Sequence, residues 1–355
     1  MVTKAVLVSL VTWNSAVELP SCLASLRRQT WPDFEVRVWD NASADGTIAI
    51  LAENAAMFAG TVLSPVNRGY SAAHNQNVSR STTEFVLCLN PDTVLAPDFL
   101  ARAVAALGRH PECGSLSPKL CRLSYGQALN LTRDEPGPDG GPPESLACVE
   151  PELTNQLDSA GIFWTRNQRH FDRGGGEPDR SQFDRPEYVF GVTGAAAFYR
   201  RACLDDVAVA GEILDEDFFA YREDVDLAWR AAWRGWRCLY RPDVLAWHAR
   251  KVLPEGRRRY PAAVNRHSVR NRFLLRLKNM PLATWARFCL PITARDLGIL
   301  LYLPFGEPSS LPALWEVLRL TPRFLAKRRQ VLGTATVARR QMEQWFSVDA
   351  QPLVR

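Results

Sequence analysis

Val6-Leu7-Val8-Ser9-Leu10-Val11-Thr12-Trp13-Asn14 stands at the head of the chain, and its reading decides the architecture. Residues 6–11 form a nearly unbroken aliphatic run, the pattern of a strand covered on both faces, and a polar triplet follows where such a strand would end. Working outward, Ser15 offers an N-cap, Pro20 suits a first helical turn, and Leu19, Leu23 and Leu26 have helical spacing. Residues 34–39 read as a second strand ending at Asp40-Asn41, and Asp45 precedes a helix in which Ile48, Leu51 and Ala55 share a face. A short strand (61–63), a helix (71–79), a strand (84–89) and a helix from Pro97 continue the alternation. Repeated strand-helix units predict an α/β fold with a doubly wound, mostly parallel sheet. Ligands of such sheets sit beyond the carboxyl ends of the strands. Thr12-Trp13-Asn14, Asp40-Asn41, Asn67-Arg68-Gly69 and Asn90-Pro91-Asp92 all fall there.

Downstream the pattern lapses from 124 to about 158, around Pro136-Gly137-Pro138, which reads as a surface loop or, alternatively, a lid over an acceptor. Gly174-Gly175-Gly176 marks a second flexible point. Strand character returns from 188 to 199, and an acidic helix is expected over 223–234, stopped by Gly235. Residues 236–240 and 244–248 read as short edge strands. These boundaries predict an α/β domain over 1–250 and a basic helical region over 251–355. From Arg250 to Arg355 there are 20 Lys and Arg against 6 Asp and Glu, a net +14, while the preceding 249 residues carry −9. A basic tail on an acidic body points to an anionic contact: a membrane surface, a diphosphate-bearing lipid or nucleic acid. The apolar stretch 282–305 is too broken by Arg287, Arg295, Asp296 and two prolines for a spanning helix. It reads equally as an interfacial amphipathic segment or as packing against the sheet domain or a second copy. The start of the chain has no signal-peptide pattern, and its eight cysteines form no CxxC pair, the usage of a reduced cytosolic protein.

Neither GxGxxG nor GxxxxGK[ST] occurs, so a bound diphosphate would need another device. A divalent cation held by carboxylate oxygens is one, because it neutralises a leaving diphosphate. Asp92, presented after a buried strand by the stiff Pro91, is a candidate ligand; its alternative is to cap the helix near Pro97. Glu223, Asp224 and Asp226 crowd a helix start with Asp215, Glu216 and Asp217 just before them. The helix dipole alone favours carboxylates there, yet such a density of like charge calls for a metal, Arg or polar cleft to balance it. His248 reads as either a ligand or a structural histidine.

These motifs, in this order, resemble the family 2 glycosyltransferases of GT-A fold. The resemblance rests on Val-Thr-Trp-Asn (11–14), Asp-Asn-Ala-Ser-Ala-Asp-Gly-Thr (40–47), Asn-Arg-Gly-Tyr-Ser-Ala-Ala-His-Asn (67–75) and Leu-Asn-Pro-Asp (89–92). Thr-Gly-Ala (193–195), Tyr-Arg-Glu-Asp-Val-Asp-Leu-Ala-Trp-Arg (221–230), Gly235-Trp236 and His248 complete it, over about residues 3–280. Within the family the likeness points to bacterial rhamnosyltransferases of the cell-wall linker and O-antigen type. It implies that Thr12, Asn14 and Asp40 line the nucleobase and ribose pocket, with Asn67, Arg68, Gly69 and Asn90 near the sugar diphosphate. Asn90-Pro91-Asp92 stands where the family has Asp-x-Asp, leaving Asp92 as the direct ligand of Mn2+ or Mg2+ with His248 beside it. Asp224, paired with Glu223, would deprotonate the acceptor hydroxyl in an inverting transfer, and Trp236 would stand on the acceptor side. The implied donor is a dTDP- or UDP-linked sugar, foremost dTDP-L-rhamnose. The implied acceptor is a glycan or a polyprenyl-diphosphate-linked saccharide at the inner face of the plasma membrane. A membrane-docked scaffold that keeps the fold without the activity is the competing reading, and no nucleic-acid motif accompanies the Arg-rich tail. The enzymatic reading requires Asp92, Asp224 and His248 to face one cleft.

Overall fold

The computed structural model describes residues 4–125, 151–250 and 261–346. Its strands are β1 (Val6–Thr12), β2 (Phe34–Asp40), β3 (Gly60–Leu63), β4 (Phe85–Leu89), β5 (Thr93–Leu95) and β6 (Cys113–Ser124). They continue with β7 (Glu152–Ser159), β8 (Ile162–Trp164), β9 (His170–Asp172), β10 (Glu187–Val189), β11 (Ala196–Arg200) and β12 (Arg237–His248). The helices are α1 (Leu19–Arg27), α2 (Thr47–Glu53), α3 (Gly69–Ser79), α4 (Phe99–Arg109), α5 (Arg201–Asp206) and α6 (Glu223–Trp233). After them come α7 (Ala262–Asn279), α8 (Leu282–Arg287), α9 (Cys289–Gly306), α10 (Pro312–Gly333) and α11 (Arg339–Glu343).

The large sheet runs β10-β12-β6-β11-β4-β1-β2-β3, with β5 paired to β12 and β7 to β6, while β8 and β9 make a separate hairpin. Its β4-β1-β2-β3 portion is parallel, as the strand-helix alternation predicts. The remainder is mixed, because β11 enters antiparallel between β4 and β6. Alternation of side chains across the pleat divides the interior. Val6, Val8 and Leu10 pack with α1 and α4, while Leu7 joins Val86, Tyr199 and Leu227 on the other face. A third cluster joins Trp164, Phe190 and Trp229 to Leu274, Phe324 and Phe346, so the C-terminal helices share an apolar core with α6.

Four expectations need correction. Ser15 does not cap α1: Glu18 holds that position, and Ser15 Oγ turns back to donate to the Trp13 carbonyl at 3.2 Å. Residues 152–159, expected within a loop, are β7 on the edge of β6; the Pro-Gly centre of that loop lies outside the described residues. The strand expected over 188–199 is two, because residues 190–195 leave the ladder between β10 and β11. Within that break Gly191 lies against α6, where a Cβ would meet Ala228 Cβ at 2.4 Å. The two supposed edge strands near the acidic helix are one long interior strand, β12, parallel to β6 and antiparallel to β10 and β5. Its register jumps between Arg241 and Leu245, where Pro242 has no N–H to give the ladder, and that bulge divides it in the sequence.

Candidate active site

The carboxyl ends of β1 and β2 are tied to each other. Thr12 Oγ1 donates to Asp40 Oδ1 at 2.8 Å, and the Ser43 backbone N–H donates to Asp40 Oδ2 at 2.8 Å. Both Thr12 and Asp40 are buried, so their polar atoms serve each other and the Ser43 turn instead of lining an open pocket. Asn14, in the left-handed region at φ 49°, accepts from the Ala44 N–H at 2.8 Å and so joins the two loops. Trp13 between them is 58% exposed, an apolar surface at the strand ends that the sequence reading did not single out.

The Asn67-Arg68-Gly69 loop is bound to the same edge. Asn41 accepts from the Arg68 N–H at 3.1 Å and donates to the Gly69 carbonyl at 3.1 Å, and Asn67 accepts from the Gly69 N–H at 2.8 Å. Gly69 has φ +84°, and a Cβ there would press on the Phe219 carbonyl at 2.5 Å, so only glycine fits. That carbonyl accepts from the Tyr70 N–H at 2.7 Å, linking the start of α3 to the segment before α6.

This segment is strained. Phe219, Tyr221 and Arg222 have φ of 66°, 69° and 77°, a conformation costly for side-chain-bearing residues. Asn271 of α7 secures it by donating to the carbonyls of Phe218, Ala220 and Tyr221 at 2.9, 3.0 and 2.8 Å. Below it, buried Lys278 binds Asp215 at 2.7 Å and Asp226 at 2.8 Å, and Asn279 donates to Asp226 at 2.8 Å. Much of the acidic crowd is thus balanced from within by the basic C-terminal helices.

Glu223 and Asp224 emerge from that strained turn in opposite environments. Asp224 Oδ2 accepts from the Gly194 N–H at 3.0 Å and Oδ1 from the Val225 N–H at 2.7 Å. Burial raises its pKa to about 6, against the two N–H donors that favour the ionised form. Glu223 is buried, its Oε2 meets no hydrogen-bond partner among the described residues, and burial beside Asp224 pushes it to about 8. At neutral pH the pair therefore holds one ionised carboxylate toward the cleft and one protonated carboxyl beneath it.

Asp92 follows β4 and leads into β5, and β5 pairs with β12 so that Thr93 faces His248. This register brings Asp92 Oδ1 within 3.3 Å of His248 Nε2. On the far side of the ring, His248 Nδ1 lies 2.8 Å from Asp158 Oδ2, and Asp158 Oδ1 meets Arg250 Nε at 2.9 Å. Arg250 also reaches Asp172 at 2.6 Å. Burial opposes charge on His248, but the carboxylates of Asp92 and Asp158 outweigh it and raise the imidazole to about 10.

A divalent cation would suit Asp92 and His248 by taking the place of the Nε2 proton that the two carboxylates otherwise favour. Two donors sharing one ion at about 2.1 Å each stand roughly 3 Å apart, close to the observed separation. Asp158 holds the other ring nitrogen, the usual support of a metal-bound imidazole. Two protein ligands leave the remaining positions to substrate oxygens and water.

One backbone stretch joins the two halves of the site. The Asn90 N–H donates to the Ala195 carbonyl at 2.9 Å, and the adjacent Gly194 holds Asp224. Asp224 and the turn that carries Asp92 are thus hydrogen-bonded to two consecutive residues of one backbone stretch. Trp236 is not part of this arrangement. It precedes β12 at the end remote from His248, which at about 3.3 Å per residue lies more than about 30 Å along the strand. Its indole N–H donates to Asp206 at 2.9 Å, so its place is structural. Asp158, Asp172, Arg250 and Asn271 were not singled out from the sequence, and Gly194 was quoted in its motif without a role. Asp158 sits in the stretch read as loop, and no local spacing announces the others.

Residues 8–120 match the family described as Glycosyl transferase family 2. An N-acetylglucosaminyl-diphospho-decaprenol L-rhamnosyltransferase of Mycobacterium tuberculosis (strain ATCC 25618 / H37Rv) is 27% identical over 254 residues, 67% of this chain and 74% of its own length. A PGL/p-HBAD biosynthesis glycosyltransferase of Mycobacterium bovis (strain BCG / Pasteur 1173P2) is 32% identical over 134 residues, 34% of this chain and 50% of the relative. Among solved structures, a mannosyltransferase from Pyrobaculum calidifontis in complex with GDP-Man and Mn2+ superposes with TM-score 0.50 at 20% identity, covering 94% of this chain and 86% of that one. TarS of S. aureus superposes with TM-score 0.52 at 16% identity, covering 93% of this chain and 55% of that one. These likenesses show a GT-A fold.

Proposed function

We propose that this chain, whose residues 8–120 match the Glycosyl transferase family 2 model, transfers a sugar, with inversion, from a nucleotide sugar to a lipid-linked saccharide. The name of the mycobacterial relative supports L-rhamnose, from dTDP-L-rhamnose, as the sugar and a polyprenyl-diphosphate saccharide as the acceptor. The reaction would then belong to bacterial cell-envelope polysaccharide synthesis at the inner face of the plasma membrane.

The observation that supports this reading is a shared anchorage: Gly194 N–H holds Asp224, the next residue accepts from the Asn90 N–H, and two residues beyond Asn90 stands Asp92, 3.3 Å from His248. In an inverting displacement the acceptor oxygen attacks opposite the leaving diphosphate. Asp224, ionised at neutral pH, is the group that takes the acceptor proton, and the Gly194 N–H holds its carboxylate in place. Asp92 and His248 would hold Mn2+ or Mg2+ at the diphosphate side, where a bound divalent cation supplies positive charge to the departing phosphate. Asn67, Arg68 and Asn90 lie at the same strand ends, and Arg68, which is exposed there, would meet the sugar diphosphate. Thr12, Asn14 and Asp40 shape the nucleobase end by holding its loops.

Asp224→Asn tests the assignment. Transfer falls by about 10³-fold, while calorimetry with a dTDP or UDP sugar and Mn2+ still shows binding. Turnover at the native level removes Asp224 from the role. Thermal-shift comparison of dTDP, UDP and GDP sugars identifies the nucleotide by selective stabilisation.

A further inference from the structure

Among the described residues, much of the basic charge of the C-terminal helices is paired within the protein. Lys278 and Lys327 neutralise Asp215, Arg270 pairs with Glu316, and Arg276 pairs with Asp296. What the last helices turn outward instead is apolar. On α9 the side chains of Leu290, Leu297, Leu301 and Phe305, spaced by seven, four and four residues, lie along one face and are 81%, 53%, 71% and 91% exposed. On α10 Trp315 and Leu318 are 69% and 65% exposed. The two helices meet at their junction, where Leu303 and Ala313 are buried together with Val269 of α7. Phe305 and Trp315 therefore flank one corner of the molecule. A contiguous exposed apolar face of this kind marks a contact surface.

We propose that this face, formed by α9 and the first half of α10, lies in the headgroup-acyl boundary of an anionic bilayer. The charge pattern decides the occupant. Between residues 282 and 325 every acid is turned inward or paired: Asp296 with Arg276, Glu316 with Arg266 and Arg270, and Glu307 is buried. The charged residues exposed beside the apolar rows are Arg287, Arg319 and Arg323; Arg287 pairs with buried Glu343 and Arg323 with Asp217, yet both arginines stay more than half exposed while those acids face inward. An apolar face with an exclusively cationic rim complements anionic headgroups, whereas a second copy of the same face would set arginine against arginine. Among the described residues no helix is long and apolar enough to cross a membrane, so the contact is interfacial. The inference rests on the reading of a lipid-borne acceptor, which the docked face would bring to the cleft.

Flotation of the full chain with vesicles of phosphatidylcholine containing about 30% phosphatidylglycerol tests it. The native protein floats with these vesicles, and the double variant Leu301→Glu, Phe305→Glu loses about tenfold or more of the bound fraction. Both side chains are exposed, so an unchanged melting temperature and unchanged transfer to a short-chain, water-soluble acceptor show that the variant is folded. Native protein that stays with the soluble fraction overturns the proposal, as does a double variant that floats equally well. A dimer, seen by sedimentation without lipid and dissolved by the same substitutions, overturns it in favour of a second copy. Loss of transfer to the soluble acceptor in the native protein would instead count against the catalytic reading and leave the flotation result standing.

Discussion

The backbone N–H of Gly194 donates to Oδ2 of Asp224 at 3.0 Å. A residue with a side chain at 194 would set its Cβ at 3.2 Å from Tyr70 Oη and 3.7 Å from the same carboxylate oxygen. Tyr70 in turn donates to the Gly194 carbonyl at 2.8 Å. One glycine therefore sets the position of the proposed base against α3 and, through its neighbour Ala195, against the Asn90-Pro91-Asp92 turn.

Asp224 predicts the acid limb of the rate profile. Its pKa is raised to about 6 by burial, and only the ionised form accepts a proton. Turnover should climb as pH rises through about 6 and level off above it. A pH series of kcat/KM checks this, and an acid limb near the ordinary carboxylate value would contradict it.

Glu223 predicts a stability profile of opposite sense. Its folded pKa of about 8 stands above the ordinary 4.5, so the native state keeps a proton that the unfolded chain releases. Its contribution is full below about 4.5 and is lost as pH rises toward 8. In Glu223→Gln the melting temperature should fall less between pH 5 and pH 8 than in the native protein. Parallel slopes for the two would sink the idea.

Asp158 should act through His248. The ring nitrogen that faces Asp92 is held in place by the 2.8 Å contact of the other nitrogen with Asp158. Asp158→Asn is expected to raise the Mn2+ concentration needed for half-maximal transfer by about 10- to 100-fold. Titration of activity with Mn2+ measures it, with nucleotide-sugar KM at saturating metal as the control.

Asn271 restrains the strained turn that delivers Glu223 and Asp224. Removing its amide takes a donor from the carbonyls of Ala220 and Tyr221, while that of Phe218 keeps Arg270, and Asn271→Ala should cost about 2 kcal/mol in denaturant unfolding. Because the loss loosens a turn next to the base, kcat should fall more than the donor KM rises. A stability loss with unaltered kcat would show the turn to be fixed by other contacts.

Much of this was legible before any coordinates. The aliphatic run of β1 and the polar residues at its end announce a buried parallel strand with a ligand edge, since both signals are local in the chain. The density of acids around Glu223 likewise signals that cations must balance it. The origin of those cations was not visible: Lys278 and Lys327 come from helices that the charge count had assigned to an external anionic partner. Trp236 misled for a related reason. Its proximity in sequence to α6 says nothing about which end of β12 it occupies.

By itself, then, the amino-acid order determined the strand-helix succession, the polar strand ends and the presence of a carboxylate pair at a helix start, because hydrophobic period and helix polarity act over a few residues. Only tertiary structure decided that His248 stands opposite Thr93, that Asp158 supports it, and that Gly194 joins Asp224 to the Asn90 turn. Those contacts span from 30 to 155 positions of chain, and they follow from strand register and a bulge at Pro242, which no local pattern specifies.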